Sequence, residues 1–319
     1  MASFRYYIDK GINVDYVSIL GAILVIFNII GLFIIIFIGS RASKKFLSPL
    51  QNMTDTVKEI SINALDKRIN VKGSKNELKD LAKTFNEMLD RIESSVEQQN
   101  QFVSDASHEL RTPISVIQGY ANLLYRWGKD DREILEESIS AIKSESQNMK
   151  ELVEKLLFLA RGDKNAQKVE KKEFVLRELI MELIKETKLV NKNHQIESDY
   201  NENFIIYADR KLIKEALRIF IDNSVKYTPE GGVIKLDCYL KYNTAVITIA
   251  DTGIGISKED ISHIFERFYR ADKSRTKSSG GTGLGLSIAK WILDKHNGKI
   301  DVWSKLDIGT VIKIGIPVK

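Results

Sequence analysis

The chain has a single cysteine, Cys238, in a strand-like run, so neither a disulfide framework nor a zinc cluster can form within it. It also lacks a basic stripe interleaved with aromatics and any helix-turn-helix signature. With a net charge of only +5, this argues against direct nucleic-acid binding. No small-residue cleavage site follows the long apolar run near the start, which argues against a cleaved signal peptide. Its 319 residues suit two or three small units rather than one.

The apolar run itself is the first positive feature. Tyr16 to Ile38 gives 23 residues without a charge, more than the ~20 needed to cross a bilayer as helix. Arg41, Lys44 and Lys45 follow at once, which places the remainder of the chain in the cytoplasm and the protein in the cell membrane, in contact with lipid. Asn28, midway along, either hydrogen-bonds its twin in a dimer or stands uncoupled. Residues 1–15 precede the span and are too few for an extracellular sensing domain. The expectation is a chain shortened at its start, or one that senses within or through the membrane.

From 41 to 94 the pattern reads helix, connector, helix. Pro49 is placed in the first turn of the first helix, where its missing donor matters least. Leu50, Met53, Val57 and Ile60 form one stripe; Leu78, Leu81, Phe85, Met88, Leu89 and Ile92 form the other. Residues 95–161 then give two long helices. The first repeats apolar residues at Val103, Ala106, Leu110, Ile114, Ile117, Ala121 and Leu124. The second repeats them at Leu135, Ile139, Ile142, Met149, Leu152, Val153, Leu156 and Leu157. A hairpin of two such helices cannot bury both seams alone, so two copies should form a four-helix bundle, that is, a homodimer.

His108 falls off the first seam, on the stripe of Gln101, Ser104, Asp105, Arg111, Thr112 and Ser115, so it should face solvent beside Glu109. Pro113 has no amide hydrogen for the carbonyl of Glu109, and a kink is expected there. A lone exposed histidine usually means nothing; what gives this one weight lies downstream.

Residues 161–172 are charged, lack apolar periodicity and read as a hinge. Residues 173–319 mix helices with strands near 233–240, 245–250, 298–304 and 310–317, which suggests a layered α/β sandwich with a mixed sheet. Four segments of this region describe a nucleotide pocket. Glu215 to Gly232 is a helix ended by Pro229. Asn223 near its end offers a neutral oxygen to magnesium, Lys226 a point charge to phosphate, and Tyr227 an aromatic face to a base. A branched-residue strand ends at Asp251-Thr-Gly253-Ile-Gly255, where a carboxylate can accept the amine of adenine and the glycines admit close approach. Ile264 to Arg270 is aromatic and basic. Gly281-Thr-Gly283-Leu-Gly285 opens an apolar helix whose first amides suit phosphate. Each piece alone is weak, since Asp251-Thr-Gly253 could be a tight turn and glycines often precede helices. The ordered set of four is not.

With these residues in view, the chain resembles a bacterial sensor histidine kinase of two-component systems from about residue 41 to 319. Ser107-His108-Glu109-Leu110-Arg111-Thr112-Pro113 is similar to the phosphoacceptor box. The Asn223 segment resembles the asparagine box of the fold shared with gyrase, heat-shock chaperone and mismatch-repair ATPases. Asp251 to Gly255 and Gly281 to Gly285 resemble its glycine boxes, with Phe265 to Tyr269 as the phenylalanine box. Residues 41–94 look like the HAMP-type linker that joins spans to kinases. The resemblance implies ATP and magnesium as cofactors, with Asp251 on adenine, Asn223 on the metal, and Lys226, Tyr227 and Arg267 lining the nucleotide. It further implies a lid between Phe268 and Gly283, containing Lys273, Ser274, Arg275, Thr276, Lys277, Ser278 and Ser279. The partner it implies is the receiver domain of a response regulator.

The expected reaction is autophosphorylation of His108, with Glu109 taking the proton from the far ring nitrogen and Thr112 orienting water in a reverse, phosphatase step. One departure from the pattern stands at Ile219, where many relatives carry asparagine and the related hydrolytic ATPases a catalytic glutamate. A hydrolytic ATPase would need that base and has no use for His108. A silent scaffold would have lost Asn223, Asp251 and the glycines.

Overall fold

The computed structural model describes residues 2–59, 66–69, 76–128, 131–164, 166–271 and 281–318. It divides into two compact units, residues 1–100 and 101–319.

The first unit contains α1 (Ala2–Glu59) and the beginning of α2 (Asn76–Trp127). Within α1, Tyr16–Lys44 holds an 18-residue stretch of mean hydropathy 3.0, none of which is buried. A helix apolar on every side has no polar face to turn to water, so this length and composition are those of a membrane span. The helix expected to open at Pro49 is instead the continuation of α1, which runs unbroken past that position. A proline removes one hydrogen bond, and long helical stretches on both sides carry the chain through it. Of the two expected stripes, Met53, Phe85 and Leu89 are buried or half-buried, joined by Ala82 and Ile69. Leu81, Met88 and Ile92 stay exposed. The side chains of Leu50, Val57, Ile60 and Leu78 lie outside the described residues. Ile69 is clasped by one side chain: Asn86 Oδ1 accepts from its N–H at 2.9 Å and Asn86 Nδ2 donates to its carbonyl at 3.1 Å. Next to it, Arg68 donates to Asp90 at 2.8 Å and also to Glu93.

The second unit carries the rest of α2, α3 (Arg132–Asp163) and the α/β layer. Asp131 caps α3, accepting from Glu133 and Ile134 at 2.9 and 3.2 Å; such a cap is worth about 1 kcal/mol. Helix α2 is continuous through Pro113, so the proline does not end it. The seams of both helices are only partly covered within one chain. Leu110, Ile117, Leu135 and Ile142 are half-buried, while Val103, Ile114, Ile139 and Leu157 are exposed.

The α/β layer contains β1 (Lys172–Val175), α4 (Leu176–Val190), β2 (Gln195–Glu197), β3 (Ile205–Ala208), α5 (Arg210–Tyr227), β4 (Val233–Lys241), β5 (Thr244–Asp251), α6 (Lys258–Ile261), α7 (Gly285–Lys295), β6 (Lys299–Lys305) and β7 (Gly309–Pro317). Five strands form a sheet in the order β2-β4-β5-β7-β6, with β2 parallel to β4 and the other pairs antiparallel. This is the mixed sheet expected from the sequence. An antiparallel β1–β3 pair beside it was not anticipated. The inward positions Ile234, Leu236, Cys238, Ile247, Ile249, Ile312, Ile314 and Ile316 are buried against Leu179, Leu183, Ile213, Phe220, Ile288 and Ile292 from α4, α5 and α7. The outward positions, such as Lys235, Asp237 and Lys313, are polar, the alternation of a sheet covered on one face. Phe220 is fully buried, which contributes about 1.5–3 kcal/mol. The central strand of this order is β5, and it ends on Asp251.

Candidate active site

Asp251 is the most heavily supported side chain at the site. Its Oδ2 accepts from Ser224 Oγ at 2.9 Å, and its Oδ1 accepts from the N–H groups of Gly253 at 3.0 Å and Thr310 at 3.2 Å. A carboxylate has about four acceptor positions, so three protein bonds fix the group and leave room for one exocyclic amine. Ser224 follows Asn223 on α5, and Thr310 faces Asp251 across the β5–β7 register. Sequence reading passed over both. Ser224 carried no separate signal, and Thr310 is linked only through a strand pairing 59 residues apart.

The glycine segments and the end of α5 meet at close range. A Cβ on Gly253 would stand 2.6 Å from the Tyr227 carbonyl, and Ile254 N–H donates to that same carbonyl at 3.1 Å. A Cβ on Gly281 would stand 2.7 Å from Lys226 Nζ, so this ammonium reaches the glycine turn that opens α7. Lys226 also lies over the Tyr227 ring at 5.1 Å. The side chain of Asn223 is half-buried and has no hydrogen-bond partner among the described residues, which leaves its oxygen available to a cation. Gly285 meets Ile219: a Cβ there would come within 3.2 Å of Ile219 Cγ2. The position where a hydrolytic ATPase carries its base is thus an apolar contact beneath the turn that opens α7. Gly255 serves the opposite side, since a Cβ there would collide at 2.0 Å with the Lys305 carbonyl of the β6–β7 hairpin.

The aromatic-basic segment closes against the second glycine turn. Phe268 has φ +61° and its N–H donates to the Gly283 carbonyl at 3.0 Å, while Gly283 has φ +67°. A side chain at Gly283 would be both left-handed and within 2.6 Å of the Phe268 carbonyl carbon. The two ends of the expected lid therefore touch. Lys273 to Ser279 lie outside the described residues. Tyr269 donates to Asp260 at 2.6 Å, which pushes the phenol up and holds the Asp260 carboxyl below the usual range. Arg267 is not turned toward the glycine turns: it donates to Asp163 at 2.9 and 2.6 Å.

These residues fit a nucleotide. There is a carboxylate with one open acceptor position, an aromatic side chain, an ammonium at a glycine turn, and a neutral oxygen for a metal. On α2, His108 is exposed, as are Gln101, Ser104, Arg111, Thr112 and Ser115. Thr112 Oγ1 lies 3.5 Å from the carbonyl of His108. Glu109 is half-buried and makes no hydrogen bond to the His108 ring among the described residues.

Three family models match in succession. The HAMP domain covers residues 41–94, the His Kinase A (phospho-acceptor) domain 98–165, and the histidine kinase-, DNA gyrase B- and HSP90-like ATPase 208–319. The chain belongs to the sensor histidine kinases. Among its kinase relatives, the signal transduction histidine-protein kinase ArlS of Staphylococcus aureus is 39% identical over 289 residues, 90% of this chain. The chain spans 64% of the length of that relative. Among solved structures, ThkA in complex with the response regulator protein TrrA is 27% identical with a TM-score of 0.57, covering 71% of this kinase chain and 64% of that one. The histidine kinase AdeS of Acinetobacter baumannii shares the fold at 24% identity and a TM-score of 0.53, over 66% of this chain and 98% of that one.

Proposed function

We propose that this chain is a membrane-anchored, homodimeric protein-histidine kinase. It phosphorylates His108 from ATP with magnesium and passes the phosphoryl group to an aspartate on a response-regulator receiver domain. The observation that carries the reading is an exposed histidine on α2 in the same compact unit as the nucleotide-shaped cluster of Asn223, Lys226, Asp251 and the glycine turns. The response regulator in the ThkA structure supports the choice of acceptor.

Each residue has a task. Asp251, fixed by Ser224, Gly253 and Thr310, holds the adenine amine. Tyr227 covers the base, Lys226 and the amides of the Gly281-to-Gly285 turn hold phosphates, and Asn223 supplies an oxygen ligand to magnesium. Magnesium, when bound, neutralises charge on the phosphates. A ring nitrogen of His108 forms the new N–P bond as ADP leaves, and the carboxylate of Glu109 takes the proton from the other ring nitrogen. Hydrogen bonds of this kind commonly form only in the reacting complex. Ile219 cannot activate water, which favours transfer to His108 over hydrolysis. Thr112, one turn beyond His108, orients water against the phospho-aspartate in a phosphatase reaction.

The span is Tyr16 to Lys44, with basic residues marking its cytoplasmic end. The exposed apolar residues Val103, Ile114, Ile139 and Leu157 become the interior of the four-helix bundle in the dimer.

The test uses ATP labelled on the γ-phosphate. Acid-labile, alkali-stable label should form on the unmutated chain and vanish in His108→Gln and Asn223→Ala. Thr112→Ala should keep the label but slow dephosphorylation of the receiver domain. Label that survives His108→Gln would refute the assignment.

A further inference from the structure

Arg267, which the kinase resemblance implies lines the nucleotide, is held elsewhere by two groups. Its Nη1 and Nη2 donate to the two carboxylate oxygens of Asp163 at 2.9 and 2.6 Å, a fork-on-fork pair. Its guanidinium carbon lies 5.1 Å from the centre of the Phe102 ring. The same Phe102 ring packs 5.9 Å from Phe268, the neighbour of Arg267 in sequence. Asp163 is the last residue of α3, at the start of the hinge, and Phe102 lies on α2 six residues before His108. The contact therefore ties the nucleotide layer to both phosphoacceptor helices. Beside it, Phe158 meets Trp291 of α7 edge-on at 5.1 Å. Gly162 lies so close to that indole that a Cβ would come within 2.7 Å of its nitrogen.

A carboxylate and a terminal phosphate present the same pair of oxygens to a guanidinium, and one fork cannot serve both. The Arg267 and Asp163 side chains are 31% and 49% exposed, so water and phosphate can reach them and the pair is open to exchange. We propose that Asp163 is a phosphate-mimicking latch. Without nucleotide it occupies Arg267 and docks the nucleotide layer on α2 and α3. Bound nucleotide takes Arg267 over, and this edge of the layer is loosened from the helices that carry His108. Phe102 belongs to the latch because its ring covers the guanidinium and Phe268 together. The inference rests on the nucleotide-lining role that the kinase resemblance implies for Arg267.

The experiment is a nucleotide titration on the full chain in lipid nanodiscs, with a fluorescent ATP analogue as probe. Asp163→Asn should tighten binding about fivefold, since a competing state is removed, and Asp163→Glu should stay at the unmutated value. In an Arg267→Ala background, Asp163→Asn should change nothing. Phe102→Leu should tighten binding less than Asp163→Asn does. Unchanged or weaker binding in Asp163→Asn would overturn the latch, and so would an equal gain with and without Arg267. The labelling assay separates the two ideas. If His108 is labelled but Asp163→Asn has unmodified affinity, the latch alone fails. If Asp163→Asn tightens binding through Arg267 but no label forms on His108, the latch stands and the kinase reading fails.

Discussion

His296 makes the folded protein sensitive to acid, and the geometry fixes the direction. The ring is 4% exposed, at the C-terminal end of α7. Its Nδ1 donates to the Ile292 carbonyl at 2.7 Å, and its Nε2 accepts from the Asp209 N–H at 2.9 Å. Both bonds require the neutral tautomer with its proton on Nδ1. Asp209 in turn caps α5, accepting from Lys211 and Leu212 at 3.1 and 3.2 Å, and its other oxygen accepts from Glu170 N–H at 2.8 Å. One imidazole thus joins α7, α5 and the end of the hinge. Burial pushes its pKa below the ordinary value of 6.5, with the Lys171 ammonium acting the same way; the Ile292 bond and the Asp209 carboxylate oppose them. A histidine depressed in the folded state contributes its stability in full above 6.5 and loses it as pH falls through the folded value. Protonation sets an N–H against the Asp209 N–H and orphans that donor, a cost of about 1–3 kcal/mol. His296→Leu removes both bonds at every pH and should cost about 2–4 kcal/mol, lowering the melting temperature by roughly 5–10 °C. The assay is thermal unfolding of the nucleotide layer at pH 8 and pH 5.5. The unmutated chain should lose more stability on acidification than His296→Leu does. An equal loss in both would refute the role of this residue.

Two other perturbations test the site and the linker. Gly283→Ala should weaken nucleotide binding at least about tenfold, because a left-handed alanine costs about 1–2 kcal/mol and its Cβ would collide with the Phe268 backbone; unmutated affinity in a fluorescent-nucleotide titration would refute this. Asn86→Leu should speed hydrogen exchange at the Ile69 amide by about tenfold or more, since it removes both bonds to that backbone; unchanged exchange would mean that the clasp does not hold the connector.

Much of the fold was legible because its elements carry period and punctuation together. The strands β4 to β7 alternate along their length, and Asn243, Asp251, Asp307 and Gly309 mark the turns that bound them. Helix α5 has an aspartate cap and Pro229 just beyond its end. Strands β1, β2 and β3 are three or four residues long, too short to show any period, and only their pairing defines them. The unbroken course of α1 past Pro49 was misread because a proline near a helix start and one inside a long helix look alike in sequence. In the site, the residues that would touch a nucleotide lie in recognisable segments. Those that hold them do not: Ser224 and Thr310 act on Asp251 through burial and strand register, and Asp163 reaches Arg267 across 104 residues. Support of this kind arises from tertiary proximity, which leaves no local pattern.

The two parts of the unit from Gln101 onward are held together on different terms. The nucleotide layer has Leu179, Ile213, Phe220, Ile247, Ile288 and Ile314 buried within one chain, and Leu152 and Leu159 of α3 are buried in the same cluster. Helices α2 and α3 leave Val103, Ile114, Ile139 and Leu157 exposed, so in the proposed dimer their order depends on a second copy. A change in bundle packing therefore alters the surface that presents His108 without touching Asp251 or Asn223. At the junction between the parts, buried Leu152 and Leu159 of α3 stand beside a partly exposed ion pair, and the two contribute unequally. Exposed ion pairs of the Arg267–Asp163 kind contribute about 0.2–1 kcal/mol, whereas truncating a buried phenylalanine such as Phe220 costs about 3–5 kcal/mol. A signal worth one or two kcal/mol, about a tenfold shift in population, is enough to exchange the ion pair and too small to unfold the nucleotide layer. Regulation at this junction requires only that the transmitted energy fall between those two limits, which is the range in which a packed, two-position contact switches.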